Sequence, residues 1–256
     1  MHDPNKPLEW YIAKLQQGEP FTSLLYGDGE FQAMSGAKTG QAFTNYREVV
    51  SQQLVDELRA SLDDPDPTIV RGTDLNLIDW RRYGGRDVAQ VREVSERAQA
   101  VIGDRRIDWV DGTVWDVTVR EGALGPLLKE MNAHHRSLML IASERVFDGV
   151  KGFLAVRHLV PVPPTNATLY LDGLEHGAIN SASGPKPTSL VAVCMGLGAI
   201  PLIMRLRRRY PQATFLDLGS TFDVFAKIGA ERGWRRELYA DEAAWRALVA
   251  KNLERA

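Results

Sequence analysis

The chain has 256 residues, 44% of them hydrophobic and 25% charged, enough for one large α/β domain and too few to demand a second. A formal net charge of -2 and a pI near 6.2 leave no strongly positive field, which excludes a general polyanion binder while allowing a local basic patch. The single Cys194 excludes an intramolecular disulfide and sits in an apolar run, so a reduced core thiol in a reducing, cytoplasmic setting is expected.

In chain order, the polar start from Met1 to Lys6 leads into an amphipathic stretch with no signal-peptide core. The first strand is expected at Ser23–Tyr26, followed by a helix over Arg47–Leu62 with Val50, Leu54, Leu58 and Leu62 at four-residue spacing. The segment Asp63-Asp64-Pro65-Asp66-Pro67 reads as a turn before a strand at Thr68–Arg71. A helix over Val88–Ile102 carries Val88, Val91, Val94, Ala98 and Val101 as one stripe and closes at Gly103. Further strands are expected at Ile107–Val110, Ser137–Ala142, His158–Val162, Ser189–Met195 and Thr214–Leu218. Helices follow at Ala199–Tyr210, stopped by Pro211, and from an Asp241 cap to Leu253. The apolar run Ser189–Met204 contains two glycines and Pro201 and falls short of the roughly 20 residues that span a membrane. Strand and helix alternate, so residues 1–256 are expected to form a single α/β domain, Rossmann-like, with a mostly parallel sheet and helices on both faces. The Ser-, Gly- and Pro-rich loop from Asn180 to Pro187 is the candidate mobile lid.

Ligands of such sheets bind beyond the carboxyl ends of the strands. The first strand ends in Gly27-Asp28-Gly29-Glu30, two carboxylates alternating with two glycines. Taken alone, Asp-Gly there is a hairpin signal. Were the backbone to stay extended, Asp28 and Glu30 would point the same way and offer one cation two hard oxygen ligands, beside glycines that let a phosphate approach; Mg²⁺ or Mn²⁺ suits such donors. The Gly196-Leu197-Gly198-Ala199 turn opens a helix and is a candidate phosphate site, although tight packing explains a lone Gly-x-Gly equally well. The last strand ends in Asp217-Leu218-Gly219-Ser220, with Asp223 three residues on; Asp223 is either a cleft acid or a helix cap. Asp74, Asp79 and Asp111 follow the second and third strands, where an acid either orients an acceptor hydroxyl or caps the next helix. Trp80, Tyr83, Trp109 and Trp115 are expected in one region, for stacking or for rim packing. His134 and His135 are neighbours at a helix end and make no metal pair. Arg205, Arg207, Arg208 and Arg209 read as a solvated face or as a contact for an anionic acceptor.

The Gly-Asp-Gly-Glu sequence after a short strand resembles the opening motif of the GT-D-type glycosyltransferases, whose Asp-x-Glu pair holds a divalent metal against the diphosphate of a sugar nucleotide. The last core strand of that family also has Asp, an aliphatic residue, Gly, a polar residue and an acid further on, matched here by Asp217, Gly219 and Asp223. Many relatives carry His after the Gly, where this chain has Ser220. The likeness covers Ser23–Glu30 and Leu190–Phe225; between them only the order of elements agrees.

The resemblance implies a metal-dependent glycosyltransferase. Asp28 and Glu30 would hold Mn²⁺ or Mg²⁺; Gly27, Gly29, Gly196, Gly198, Asp217 and Ser220 would bind a nucleotide-sugar donor such as a UDP-sugar; and Asp223 and Asp111 would serve catalysis. The acceptor would be a hydroxyl on a glycan, glycoprotein or glycolipid, with a modified nucleic-acid base kept open by the arginine cluster. Two alternatives remain: an S-adenosylmethionine-dependent methyltransferase using Asp217-Leu218-Gly219, and a non-catalytic nucleotide-binding protein of the same fold.

Overall fold

A computed structural model describes residues 7–36, 49–82, 88–134, 137–182, 188–230, 233–254 and 256. Its centre is a seven-stranded sheet, and every expected strand is present within two residues of its expected bounds. They are β1 (Thr22–Tyr26), β2 (Ile69–Thr73), β3 (Trp109–Asp111), β4 (Leu138–Ala142), β5 (His158–Pro161), β6 (Leu190–Cys194) and β7 (Thr214–Asp217). All neighbouring strands pair in parallel, in the order β3-β2-β1-β7-β6-β4-β5. The continuous apolar runs of β4 and β6 are buried throughout, as strands covered on both faces must be.

The helices are α1 (Leu8–Gln17), α2 (Asp28–Met34), α3 (Gln52–Asp63), α4 (Leu75–Ile78), α5 (Val88–Ile102), α6 (Val114–Glu121), α7 (Gly125–Ala133), α8 (Glu144–Val150), α9 (Leu171–Ala182), α10 (Ala199–Arg209), α11 (Gly233–Ala240) and α12 (Glu242–Leu253). They build two cores. Helices α2, α3, α5, α9 and α10 bury Leu58, Ala98, Ala178 and Ile203 against Leu24, Val191 and Phe215 on one face. Helices α1, α6, α7 and α8 bury Tyr11, Trp115, Leu127 and Val146 on the other, with the α11–α12 hairpin packed against that core.

Local chemistry sets the helix ends. Ser51 caps α3 by accepting from Leu54 N at 3.1 Å, so the helix begins later than the expected Arg47, a residue outside the described set. Leu54, Leu58 and Leu62 form its buried stripe, while Val50 precedes it and is partly buried. On α5 the stripe turns to Val94, Ala98 and Ile102, leaving Val88 exposed, and Gly103 closes the helix with φ +57°. Asp241 caps α12 by accepting from Ala243 N and Ala244 N, both at 3.0 Å.

The order of strands creates a switch point. From β1 the chain winds outward through β2 to β3, then crosses to β4 and β5 and returns through β6 to β7, which pairs with β1. The crevice between β1 and β7, at their carboxyl ends, is where this topology leaves room for a ligand.

Candidate active site at the strand ends

At the end of β1 the hairpin alternative is overturned, since β1 pairs in parallel with β2 and β7 and leads straight into a helix. The extended arrangement of Asp28 and Glu30 is corrected by the same fact: they are the first and third residues of α2, and positions two apart on a helix face different ways. Glu30 Oε2 turns back to accept the Gly27 N–H at 2.7 Å, the acidic arm of a capping box in which glycine supplies no second arm. Burial pushes the Glu30 carboxyl up to about 7, with the Asp28 charge adding to it and backbone N–H donation opposing it. Among the described residues no Lys or Arg forms an ion pair with Glu30.

The Gly196–Ala199 turn lies against this motif. A Cβ built on Gly29 would come within 3.1 Å of Leu197 Cδ2, so the start of α2 and the turn that opens α10 abut. Gly198 is the N-cap of α10, and its own Cβ would meet Met195 Cε at 2.6 Å. Both glycines thus allow close approach, and two helix N-termini meet at one place.

Asp217, 2% exposed, closes β7. Oδ2 accepts from Leu25 N of β1 at 3.1 Å and Oδ1 from Gly219 N at 3.0 Å, so the side chain continues the β1–β7 seam past the point where main-chain pairing stops. Burial pushes its carboxyl up to about 8, against the two N–H donors and with the Glu30 charge adding to the rise. With both oxygens held inside, Asp217 is not presented to a ribose, which counts against the methyltransferase alternative. Gly219 carries φ +51° and packs against Leu25 Cδ1.

Ser220 then leads into a 3-10 segment, Thr221–Ala226, that contains Asp223. Asp223 lies inside the segment, so the reading of it as a cap of Val224–Ile228 is replaced by another partnership: its Oδ2 is 3.2 Å from Nη1 of Arg235 on α11. Asp217 and Asp223 both act electrostatically on the buried Cys194 at the end of β6, whose thiol is pushed up chiefly by burial. The acids at these strand ends feel one another: the Asp28 charge adds to the rise of Glu30, the Glu30 charge to that of Asp217, and those of Asp217 and Asp223 to that of Cys194. Among the described residues no group of three or more His, Cys, Asp or Glu has the geometry to hold a metal by itself.

The remaining expected residues lie apart. Asp111 ends β3, two strands from β1, and accepts from Thr113 N at 2.9 Å and Thr113 Oγ1 at 2.7 Å, a turn-closing role. Asp74 caps α4 through Asn76 N, and Asp79 accepts from Arg81 N. The aromatic grouping is corrected: Trp109 packs on Tyr26 and Phe31 in one core, whereas Trp115 packs on Tyr11 in the other. Trp80 instead lines an open groove of about 540 Å³ with Val88, Ala89, Arg92, Glu93 and Glu96, while Tyr83 is outside the described residues. The arginine cluster divides: Arg205, 8% exposed, is bound to Glu57 and Asp172, and Arg207 to Asp66, whereas Arg208 and Arg209 are exposed, as a solvated face requires. His134 ends α7 beside Glu130; His135 and residues 183–187 of the lid candidate are outside the described set.

Sequence reasoning missed Arg235, Tyr239 and Trp245, which hold the 3-10 segment from the α11–α12 hairpin. No spacing signals them, because their partners lie 12 to 21 residues away across a turn.

An all-parallel sheet whose last strand returns beside its first, with carboxylates and two helix N-termini at the switch point, defines a Rossmann-like fold of the ligand-binding kind. Solved structures place it further. A selenomethionine-substituted structure of the domain of unknown function 1792 is similar at TM-score 0.63 and 17% identity, over 91% of this chain and 80% of that one. A second structure of that domain, described as having a distinct glycosyltransferase fold, is similar at TM-score 0.62 and 18% identity, over 91% and 80%. A structure from Streptococcus sanguinis described as a new glycosyltransferase of the same domain is similar at TM-score 0.59 and 14% identity, over 90% and 81%. This chain has that glycosyltransferase fold, in agreement with the GT-D resemblance of its two motifs. No protein-family model and no curated protein matches it.

Proposed function

We propose that the protein is a metal-dependent glycosyltransferase that takes a sugar from a nucleoside-diphosphate donor, of which a UDP-sugar is the first to test, to a hydroxyl acceptor. The observation that carries this is the abutment of the Asp28–Glu30 helix start and the Gly196–Ala199 helix start at the β1–β7 switch point, on a glycosyltransferase fold. Helix N-termini suit phosphate groups, and the carboxylates of Asp28 and Glu30 are the donors that would hold a hard cation there.

Mn²⁺ or Mg²⁺ is the ion that such hard oxygen donors would take. Glu30 is a buried carboxylate beside a second acid, and a divalent ion would offset that charge. Because Asp28 and Glu30 leave α2 in different directions, they would share one ion by bracketing its water shell, with diphosphate oxygens and water completing that shell. A bound ion would neutralise charge on the departing nucleoside diphosphate. The chain's own groups do the rest: the glycines let α2 and the α10 turn pack closely, so that main-chain N–H groups of that turn would meet the phosphates, Asp217 locks β1 to β7 beneath them, and Asp223 stands after β7 to orient the acceptor or the donor sugar.

Thermal shift tests the reading. UDP is expected to raise the melting temperature only with Mn²⁺ or Mg²⁺ present, because binding to the folded state stabilises it by mass action. Asp28→Asn and Glu30→Gln should each remove that shift while leaving the fold intact, since Gln can still accept from Gly27 N. Equal stabilisation by UDP in EDTA overturns the proposed site.

A further inference from the structure

We propose that Arg235 is the positioning residue of Asp223, its guanidinium fork setting the loop after β7 so that Ser220 and Asp223 stand at the cleft. The proposal rests on the reading of that cleft as a glycosyltransferase site. Arg235 is 0% exposed, the largest fully buried side chain among the described residues. Burying a guanidinium costs several kcal/mol unless its hydrogen bonds are met, so its partners show what it is for. Nη2 donates to the Ser220 carbonyl at 2.9 Å and to Ser220 Oγ at 3.2 Å, and Nη1 donates to Asp223 Oδ2 at 3.2 Å. Asp116 Oδ1 of α6 lies 3.6 Å from Nη2, and the Trp234 ring lies 5.2 Å from Cζ. One rigid fork therefore fixes a main-chain carbonyl and a side-chain carboxylate of the same loop, which a flexible ammonium cannot do.

The hairpin that carries Arg235 meets the rest of the segment as well. Tyr239 Oη donates to the Ile228 carbonyl at 2.8 Å, and Trp245 Nε1 to the Val224 carbonyl at 2.8 Å. These neutral donors would suffice to hold the backbone. Of these three donors it is the charged fork that reaches the Asp223 carboxylate, whose side chain keeps 20% exposure and so faces outward as well as toward Arg235. The charge is spent on aiming that acid.

Two measurements on the full chain test this. Hydrogen exchange read by mass spectrometry needs no donor: Arg235→Met should speed exchange over residues 219–228 by at least about tenfold, with β1 and α2 unchanged. Release of UDP from UDP-glucose, UDP-galactose or UDP-N-acetylglucosamine in Mn²⁺, with water as acceptor, then reads the catalytic consequence. Arg235→Lys, which keeps the charge, should lower kcat by about 100-fold with KM within about twofold, because Asp28 and Glu30 are untouched. Asp223→Asn should lose as much, and the double variant no more than either. Unchanged exchange, a kcat of Arg235→Lys near wild type, or additive losses would overturn the proposal. A wild-type chain that neither binds nor releases UDP overturns the glycosyltransferase reading and this proposal with it, a result distinct from failure of the exchange arm.

Discussion

Asp217→Asn isolates the acid that stitches β1 to β7. In the folded chain the Asp217 carboxyl is pushed up to about 8 by burial, whereas an unfolded Asp loses its proton near 3.8. Between those values the folded state binds one more proton than the unfolded state, so this group's contribution to stability declines as pH rises. The slope is about 1.4 kcal/mol per pH unit for a fully protonated native acid. The step from pH 5.5 to 6.5 lies well inside the window. Asn has no proton to lose, but its amide N–H faces the Leu25 N–H, one donor against another, at a cost of about 1–3 kcal/mol. The variant should therefore be less stable at pH 5.5, and the gap to wild type should narrow by about 1.4 kcal/mol at pH 6.5. Glu30, also raised, is present in both proteins and cancels to first order. Urea unfolding in EDTA at the two pH values measures the gap. A gap that is constant or widens with pH would refute the account of Asp217 as a buried acid held in its protonated form.

Other outcomes follow from packing and ion pairs. Gly112→Ala would bring a Cβ within 2.8 Å of Thr73 N and 3.0 Å of the Gly72 carbonyl carbon, so the ends of β2 and β3 must part. A loss of about 1–3 kcal/mol is expected, read as a lower melting midpoint of about 2–4 °C per kcal/mol. Arg205→Met leaves Glu57 without the cation that joins α3 to α10, and should cost on the order of 2 kcal/mol, below the ~3–5 typical of a fully buried pair. Its UDP- and Mn²⁺-dependent thermal shift should match that of wild type, because Arg205 is six residues beyond the start of α10.

The sheet was legible because β4 and β6 are apolar runs of five residues bounded by polar or glycine turns, too short for a buried helix and apolar throughout as strands covered on both faces are. The Gly-Asp-Gly-Glu motif was legible as a strand end, but not as a helix start. The Glu30 arm that reaches Gly27 is a helix-start signal, although a glycine cap hides half of it. Trp109 and Trp115 look like one cluster in sequence, yet the chain crosses the sheet between them and sends them to opposite cores. Arg235 was illegible for a deeper reason. Arginines are read as surface residues, and only three-dimensional closure of α11 onto the 3-10 segment creates the buried partners that make an interior one stable.

The place of β7 bears on how the molecule is made. Residues 22–111 supply one half-sheet, β3-β2-β1, and residues 138–194 supply the other, β6-β4-β5. Until Thr214–Asp217 emerges from the ribosome, each half presents a bare hydrogen-bonding edge, β1 on one and β6 on the other, ready to pair with a strand of another nascent chain. The keystone strand closes both edges at once, and in the same step brings Gly29 against Leu197. A chain stalled before residue 214 is thus expected to be both inert and sticky, and quality control at synthesis would see a single late event that removes its adhesive edges and completes its cleft.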